Sequence, residues 1–187
     1  MKLTNNRCAV EVTLDDNFDL KSSDHREYDF VLNVDGYTAQ DYYRVLSLSV
    51  NLFHDKYKIA LVGSGQSYPD DCAVLDDVLT VVQDNRVVRL DLQNRTVTAT
   101  YDTDLYGCAF GLYSTPNGYF IHGELEVARY DKDFNKKWGF SGRDIFVSPN
   151  NKQAFQLLED RVCLYDFEDN YYELDYNGNQ LLDLPHK

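Results

Sequence analysis

A five-residue pattern, Val-x-x-(Leu/Tyr)-Asp, occurs three times and limits the folds open to this chain more than any other feature. The copies are Val87-Val88-Arg89-Leu90-Asp91, Val127-Ala128-Arg129-Tyr130-Asp131 and Val162-Cys163-Leu164-Tyr165-Asp166. Their aspartates lie 40 and then 35 residues apart. Each copy follows an apolar, strand-like stretch (78–82, 119–121 and 155–158) and turn-forming residues (Asp84-Asn85, Gly123 and Glu159-Asp160). Each precedes a polar turn and a third strand near Val97, Trp138 or Leu174. A repeat of this length is one β-meander that cannot bury both of its faces alone, so copies must stack into a shared core. The repeated Asp suits a strand end, where a carboxylate accepts backbone N–H groups of the next turn.

Over roughly residues 72–182 the chain resembles β-propeller blades of the WD-like or quinoprotein-like kind, in which a strand ending in Leu/Tyr-Asp is common. That resemblance implies an all-β fold of repeated antiparallel meanders. The linking stretches 109–113 and 145–147 are expected to be the innermost strands of the second and third blades, giving four strands each. Propellers generally need four or more blades of about 40 residues. Two arrangements therefore stay open: divergent N-terminal blades complete a ring, or the sheets form an open, incomplete or sandwich-like stack. The expected layout is an N-terminal β unit over 1–62, itself a possible divergent repeat, and a repeat array over 72–187 in one compact domain. Strands are expected at 7–14, 28–34, 46–53 and 57–62, with Asp35-Gly36 as a turn. At most one short helix is expected, over 38–45, with Thr38 as its cap and Asp41 three residues later. The stretch 63–71 reads as a loop, and Asp175-Tyr176-Asn177-Gly178-Asn179 as an Asn-Gly hairpin returning a last strand over 180–184.

No cofactor, metal or catalytic motif is expected. Asp131-Lys132-Asp133-Phe134-Asn135 opens like a calcium loop, but Lys136 and Gly142 stand where such a loop needs Gly and Glu. Gly63-Ser64-Gly65-Gln66-Ser67 lacks the third Gly of a dinucleotide fingerprint and the spacing of a nucleophile elbow. His122-Gly123-Glu124 lacks the Cys pair of a zinc deaminase. Cys8, Cys72, Cys108 and Cys163 fit no zinc spacing and read as buried thiols of a reducing compartment.

The formal charge of −13 offers no basic face for nucleic acid or anionic membrane. It can steer a basic protein partner. The start of the chain has no apolar leader-like run, so a cytoplasmic location is the expectation. Aromatics at loops and strand ends, namely Tyr42, Tyr43, Tyr68, Tyr106, Tyr171 and Tyr172, are the candidate interface residues, since Tyr is enriched where proteins meet. The leading expectation is a non-catalytic protein-binding module, such as an acidic inhibitor, immunity protein or accessory subunit. The alternative is a carboxylate-dependent hydrolase or carbohydrate-active protein, drawing on pairs such as Asp70-Asp71, Asp76-Asp77, Glu159-Asp160 or Glu168-Asp169. A deep pocket of converging acids and His would favour the alternative, and a flat aromatic patch with an acidic rim the first.

Overall fold

In chain order, seventeen strands form four sheets in the computed structural model, which describes residues 1–64, 70–148 and 152–186. No helix occurs among the described residues. The chain divides into two compact units, Met1–Asp102 and Thr103–Lys187.

The first unit begins with β1 (Lys2–Thr4), β2 (Cys8–Leu14), β3 (Phe30–Asn33), β4 (Tyr43–Leu52) and β5 (Lys56–Ser64), in the sheet order β1-β2-β4-β5-β3. Alternation drives it: Val10 and Val12 on β2, and Leu48, Val50 and Leu52 on β4, are buried, whereas Glu11, Ser49 and Asn51 are exposed. This sheet is not a copy of the meander. β3 runs parallel to β5, with Phe30 opposite Ile59 and Asn33 opposite Val62. The long segment before β3 folds over one end of the sheet as a strap. It sets Phe18, Leu20 and Tyr28 on Val45, Ala60 and Val62, where Tyr37, from the turn after β3, joins them.

The expected helix over 38–45 is corrected to one turn followed by β4. The Asp41 carboxylate accepts both the N–H and the hydroxyl of Thr38, at 2.6 and 2.7 Å, and closes the turn on itself. From Tyr43 onward, pairing with β5 takes over. Gly63 and Ser64, expected as loop, belong to β5 opposite Arg44 and Tyr43.

The three remaining sheets are four-stranded antiparallel meanders, as the repeat implied. The first comprises β6 (Ala73–Leu75), β7 (Leu79–Gln83), β8 (Arg86–Asp91) and β9 (Thr96–Asp102). In the second unit, β10 (Ala109–Thr115), β11 (Gly118–Gly123), β12 (Val127–Tyr130) and β13 (Lys136–Phe140) form one sheet. β14 (Phe155–Leu157), β15 (Arg161–Tyr165), β16 (Tyr171–Asp175) and β17 (Gln180–Leu184) form the other. Residues 145–147, expected as an inner strand, form none; β14 takes that place. Phe146 is instead a fully buried plug, its N–H donated to the Glu124 carbonyl at 2.7 Å.

Register shows that the third copy of the repeat is not Val162–Asp166. In the first two meanders, Leu90-Asp91 and Tyr130-Asp131 end the third strand, and a bulge follows opposite Leu90 and Tyr130. In the last meander the same bulge lies opposite Leu174. The equivalent dipeptide is therefore Leu174-Asp175 on β16, whereas Asp166 ends the second strand, β15. Tyr171 stands where the other copies have Val, which hides the match. Asp166 looks like a copy because it closes a turn of the same chemistry. Asp131, Asp166 and Asp175 each accept the backbone N–H of the Asn four residues on, at 2.9, 2.9 and 2.8 Å. Asp91 does so with Asn94 one residue earlier, at 2.9 Å.

The two sheets of the second unit face each other across Phe120, Val127, Phe146, Phe155, Val162, Leu164, Tyr172 and Leu174. Trp138, the only Trp, and Arg129 both donate to the Tyr176 carbonyl, fastening the turn 175–179 of one sheet to the other. Gly178 is required there. Its φ is +85°, and a Cβ would lie 2.8 Å from the Trp138 ring.

Candidate functional site

The six candidate tyrosines do not form one patch. Tyr42 and Tyr106 are largely exposed, at 74% and 70%. Tyr43 is half-buried on β4, and its hydroxyl accepts the Leu20 N–H at 3.0 Å, which makes it an anchor for the strap. Tyr68 lies outside the described residues. Tyr171 and Tyr172 are adjacent on β16 and therefore point to opposite faces. Tyr172 is 2% exposed, inside the core, where its hydroxyl donates to Asp166 at 2.8 Å. It is corrected from interface to core; strand alternation allows only one of the two to reach the surface.

Tyr171 belongs to the outward face of the last sheet. The pairing places Gln156, Cys163, Glu173 and Leu182 in one row across the four strands, and Tyr165, Tyr171 and Leu184 in the next. The rings of Tyr165 and Tyr171 lie 4.8 Å apart. Tyr171 donates to Glu173 at 2.7 Å, and Arg161 reaches the other oxygen of Glu173 at 2.8 Å. Tyr171 and Arg161 hold the Glu173 carboxyl below its ordinary range, so it is ionised. Burial first, then Cys163 and Glu173, push the Tyr171 phenol far above its usual value, so it stays a donor. Lys152 sits 4.9 Å from the Tyr165 ring centroid. Tyr165, Tyr171, Glu173 and Leu182 are half-exposed and Leu184 is 51% exposed. This face sets two aromatic rings beside one carboxylate fixed by Tyr171 and Arg161. Only Tyr171 was legible beforehand. The rest of the face needed the register of β15 to β17.

In the strap, Asp15, Asp19 and Asp24 are engaged locally. The strap bounds an open cleft of about 650 Å³ lined by Asp15, Asp19, Asp24, Glu27, His25 and Tyr28 among others. Asp15, Asp19 and Asp24 each accept the N–H two residues ahead, at 2.9, 2.9 and 3.3 Å, the geometry of Asx turns. Asp15 also takes the Tyr28 hydroxyl at 2.5 Å, and Arg26 pairs with Asp24. His25 stacks on Phe18 at 4.6 Å. A second groove, about 480 Å³, runs along the outward rows of the first sheet, past Ala9, Ser49, Asn51, Lys56 and Lys58.

His122 of the H-x-E triplet is buried, gives Nε2–H to the Phe146 carbonyl at 2.9 Å and stacks on Phe155. Burial lowers its pKa to about 4, so it is neutral near pH 7. Cys108 Sγ lies 3.3 Å from Glu124. Among the described residues, no group of three or more His, Cys, Asp and Glu is placed to hold a metal ion. No helix there is long and apolar enough to cross a membrane.

No protein-family model matches the chain, and no curated protein matches it. Solved structures do. BamB from Moraxella catarrhalis aligns at 10% identity and a TM-score of 0.48, over 77% of this chain and 46% of that one. Dihydro-heme d1 dehydrogenase NirN, solved in complex with DHE, aligns at 12% identity and a TM-score of 0.51, over 81% of this chain and 37% of that one. The chain thus spans less than half the length of either. At these identities the likeness concerns the fold: this is an all-β chain with three four-stranded antiparallel sheets resembling the blades of an incomplete β-propeller.

Proposed function

We propose that this chain is a non-catalytic protein-binding module, an accessory or inhibitory subunit acting in the cytoplasm, whose partner is a basic protein. The observation that carries the reading is the outward face of the last sheet. It offers the paired rings of Tyr165 and Tyr171 beside the ionised Glu173. Half-exposed aromatics next to a fixed charge are the usual anchors of protein recognition. The formal charge of −13 supplies long-range attraction for a basic partner and repels acidic ones. In the strap cleft, by contrast, the acids already hold their own turns.

The test is affinity capture of the tagged full chain from a lysate of its own source, with wild type and Tyr171→Ala side by side. A basic protein held at about 50 mM salt and released at about 500 mM is the expected result. Tyr171→Ala should retain about tenfold less of it, the typical cost of removing an interface anchor. Retention indifferent to both salt and Tyr171, or no specific retention, would count against this reading.

A further inference from the structure

The last strand of each meander, one of its two edges, holds a bulge at one equivalent place, and the residue there differs. On β9 it is Thr98, whose hydroxyl donates to the Arg89 carbonyl at 3.2 Å. On β13 it is Lys137, ion-paired with Asp131 at 2.6 Å. On β17 it is Leu181, 52% exposed. An outermost strand has one row of backbone N–H and C=O groups with no strand beside it. Natural sheets guard such rows with lysine, proline or polar side chains. β13 carries Lys136 and Lys137, and β9 carries Thr96, Thr98 and Thr100. β17 reads Gln180-Leu181-Leu182-Asp183-Leu184, with no lysine or proline, and Gln180 and Asp183 are its polar residues. Its one charge is already matched: Arg143 holds Asp183 through two bonds of 2.6 and 2.7 Å.

We infer that β17 is a self-association edge, on which a second copy of this chain adds its own β17 antiparallel to form one sheet continuous across two molecules. Charge selects the register. A two-fold centred on Asp183 would set two carboxylates opposite each other, which is unfavourable. Centred on Leu182, it sets leucine against leucine and brings Asp183 beside the partner's Leu181. Such pairing uses each edge once, so it closes at two copies. A five-residue strand makes a small contact, so the dimer forms in the micromolar range. The neutral edge lets the copies meet although each carries a formal charge of −13, and salt that screens this repulsion strengthens the pair. The sign is opposite to that expected for a basic partner. The inference concerns the purified chain alone and stands or falls apart from the partner reading.

Sedimentation velocity on the purified full chain tests it, at protein concentrations from about 1 to about 300 µM and at about 20 and about 500 mM NaCl. Wild type should show a monomer–dimer equilibrium whose Kd falls about tenfold at the higher salt. Leu184→Lys, an exposed site on the edge, and Leu182→Lys, at its centre, should each raise Kd at least about tenfold by setting cations in the pairing region. Phe53→Lys, at a hairpin tip 88% exposed, is the control for an added charge and should dimerise as wild type. Circular dichroism confirms that the variants are folded. A monomer throughout, a dimer weakened by salt, or a dimer indifferent to both β17 lysines would overturn the inference.

Discussion

Two buried side chains set the chemistry of this protein at the residue scale. Asp166 is fully buried, and its carboxylate accepts the N–H groups of Glu168 and Asn170, the Asn170 amide and the Tyr172 hydroxyl. Asp166→Ala leaves those donors without acceptors and should cost about 3 kcal/mol, read as a shift in the urea midpoint. Asp175→Ala, at the partly exposed copy of the same turn, should cost about 1 kcal/mol. His122 gives a pH signature. Its folded pKa of about 4 lies below the unfolded value of 6.5, so as pH falls the unfolded chain takes the proton first. Stability is full above pH 6.5 and declines between pH 6.5 and about 4, by about 3 kcal/mol from this group. His122→Gln should flatten the slope between pH 6.5 and 5 in urea titrations repeated across that range. The carboxylates held low, such as Asp131 and Asp175, lose their contribution only below the ordinary acid range.

At the scale of the element, the strap lies on the first sheet without a strand of its own among residues 15–29. Tyr28 to Asp15, Leu20 to Tyr43 and the apolar seat on Val45 and Val62 keep it down. Tyr28→Ala should speed trypsin cleavage after the exposed Lys21 and Arg26 by about tenfold while the strand content persists, because local opening rather than global unfolding governs the cut. Elements were legible in the sequence wherever one face is buried and the chain alternates. In the meanders this holds for β9, β13 and β16, whereas β7 and β11 are buried throughout and were legible as apolar runs beside the repeat. Three things could not be read. The parallel seat of β3 depends on a partner 29 positions later in the chain, opposite Phe30 at Ile59, and local pattern carries no such information. The helix expected over 38–45 rested on Thr38 and Asp41, a pair that closes a lone turn as readily as it caps a helix. The frame of the last repeat was hidden by Tyr171 in place of Val. The Asp-x-x-x-Asn spacing of 131–135, 166–170 and 175–179 was the available signal, and it marks both Asp166 and Asp175. Of the candidate face, Tyr171 was visible as an aromatic near a strand end, but Tyr165, Glu173 and Leu184 join it only through cross-strand register.

For the whole molecule, the charge imbalance of 31 acidic against 18 basic residues is the dominant long-range term. Mutual repulsion works against the compact state. Raising NaCl from about 20 to about 200 mM should therefore raise the thermal midpoint by about 3 °C, followed by circular dichroism. Exposed ion pairs such as Lys2–Glu11 and Arg7–Asp77 weaken in salt but contribute little to begin with.

The parallel seat of β3 also orders events during synthesis. β2 and β3 leave the ribosome before β4 and β5 exist, yet the sheet order places β4 beside β2 and β5 beside β3. The nascent chain therefore carries Phe30, Val31 and Leu32 unpaired until the β4–β5 hairpin has been made. β3 closes the sheet last, although it is made early, and this waiting segment is the one for which a chaperone would have most use.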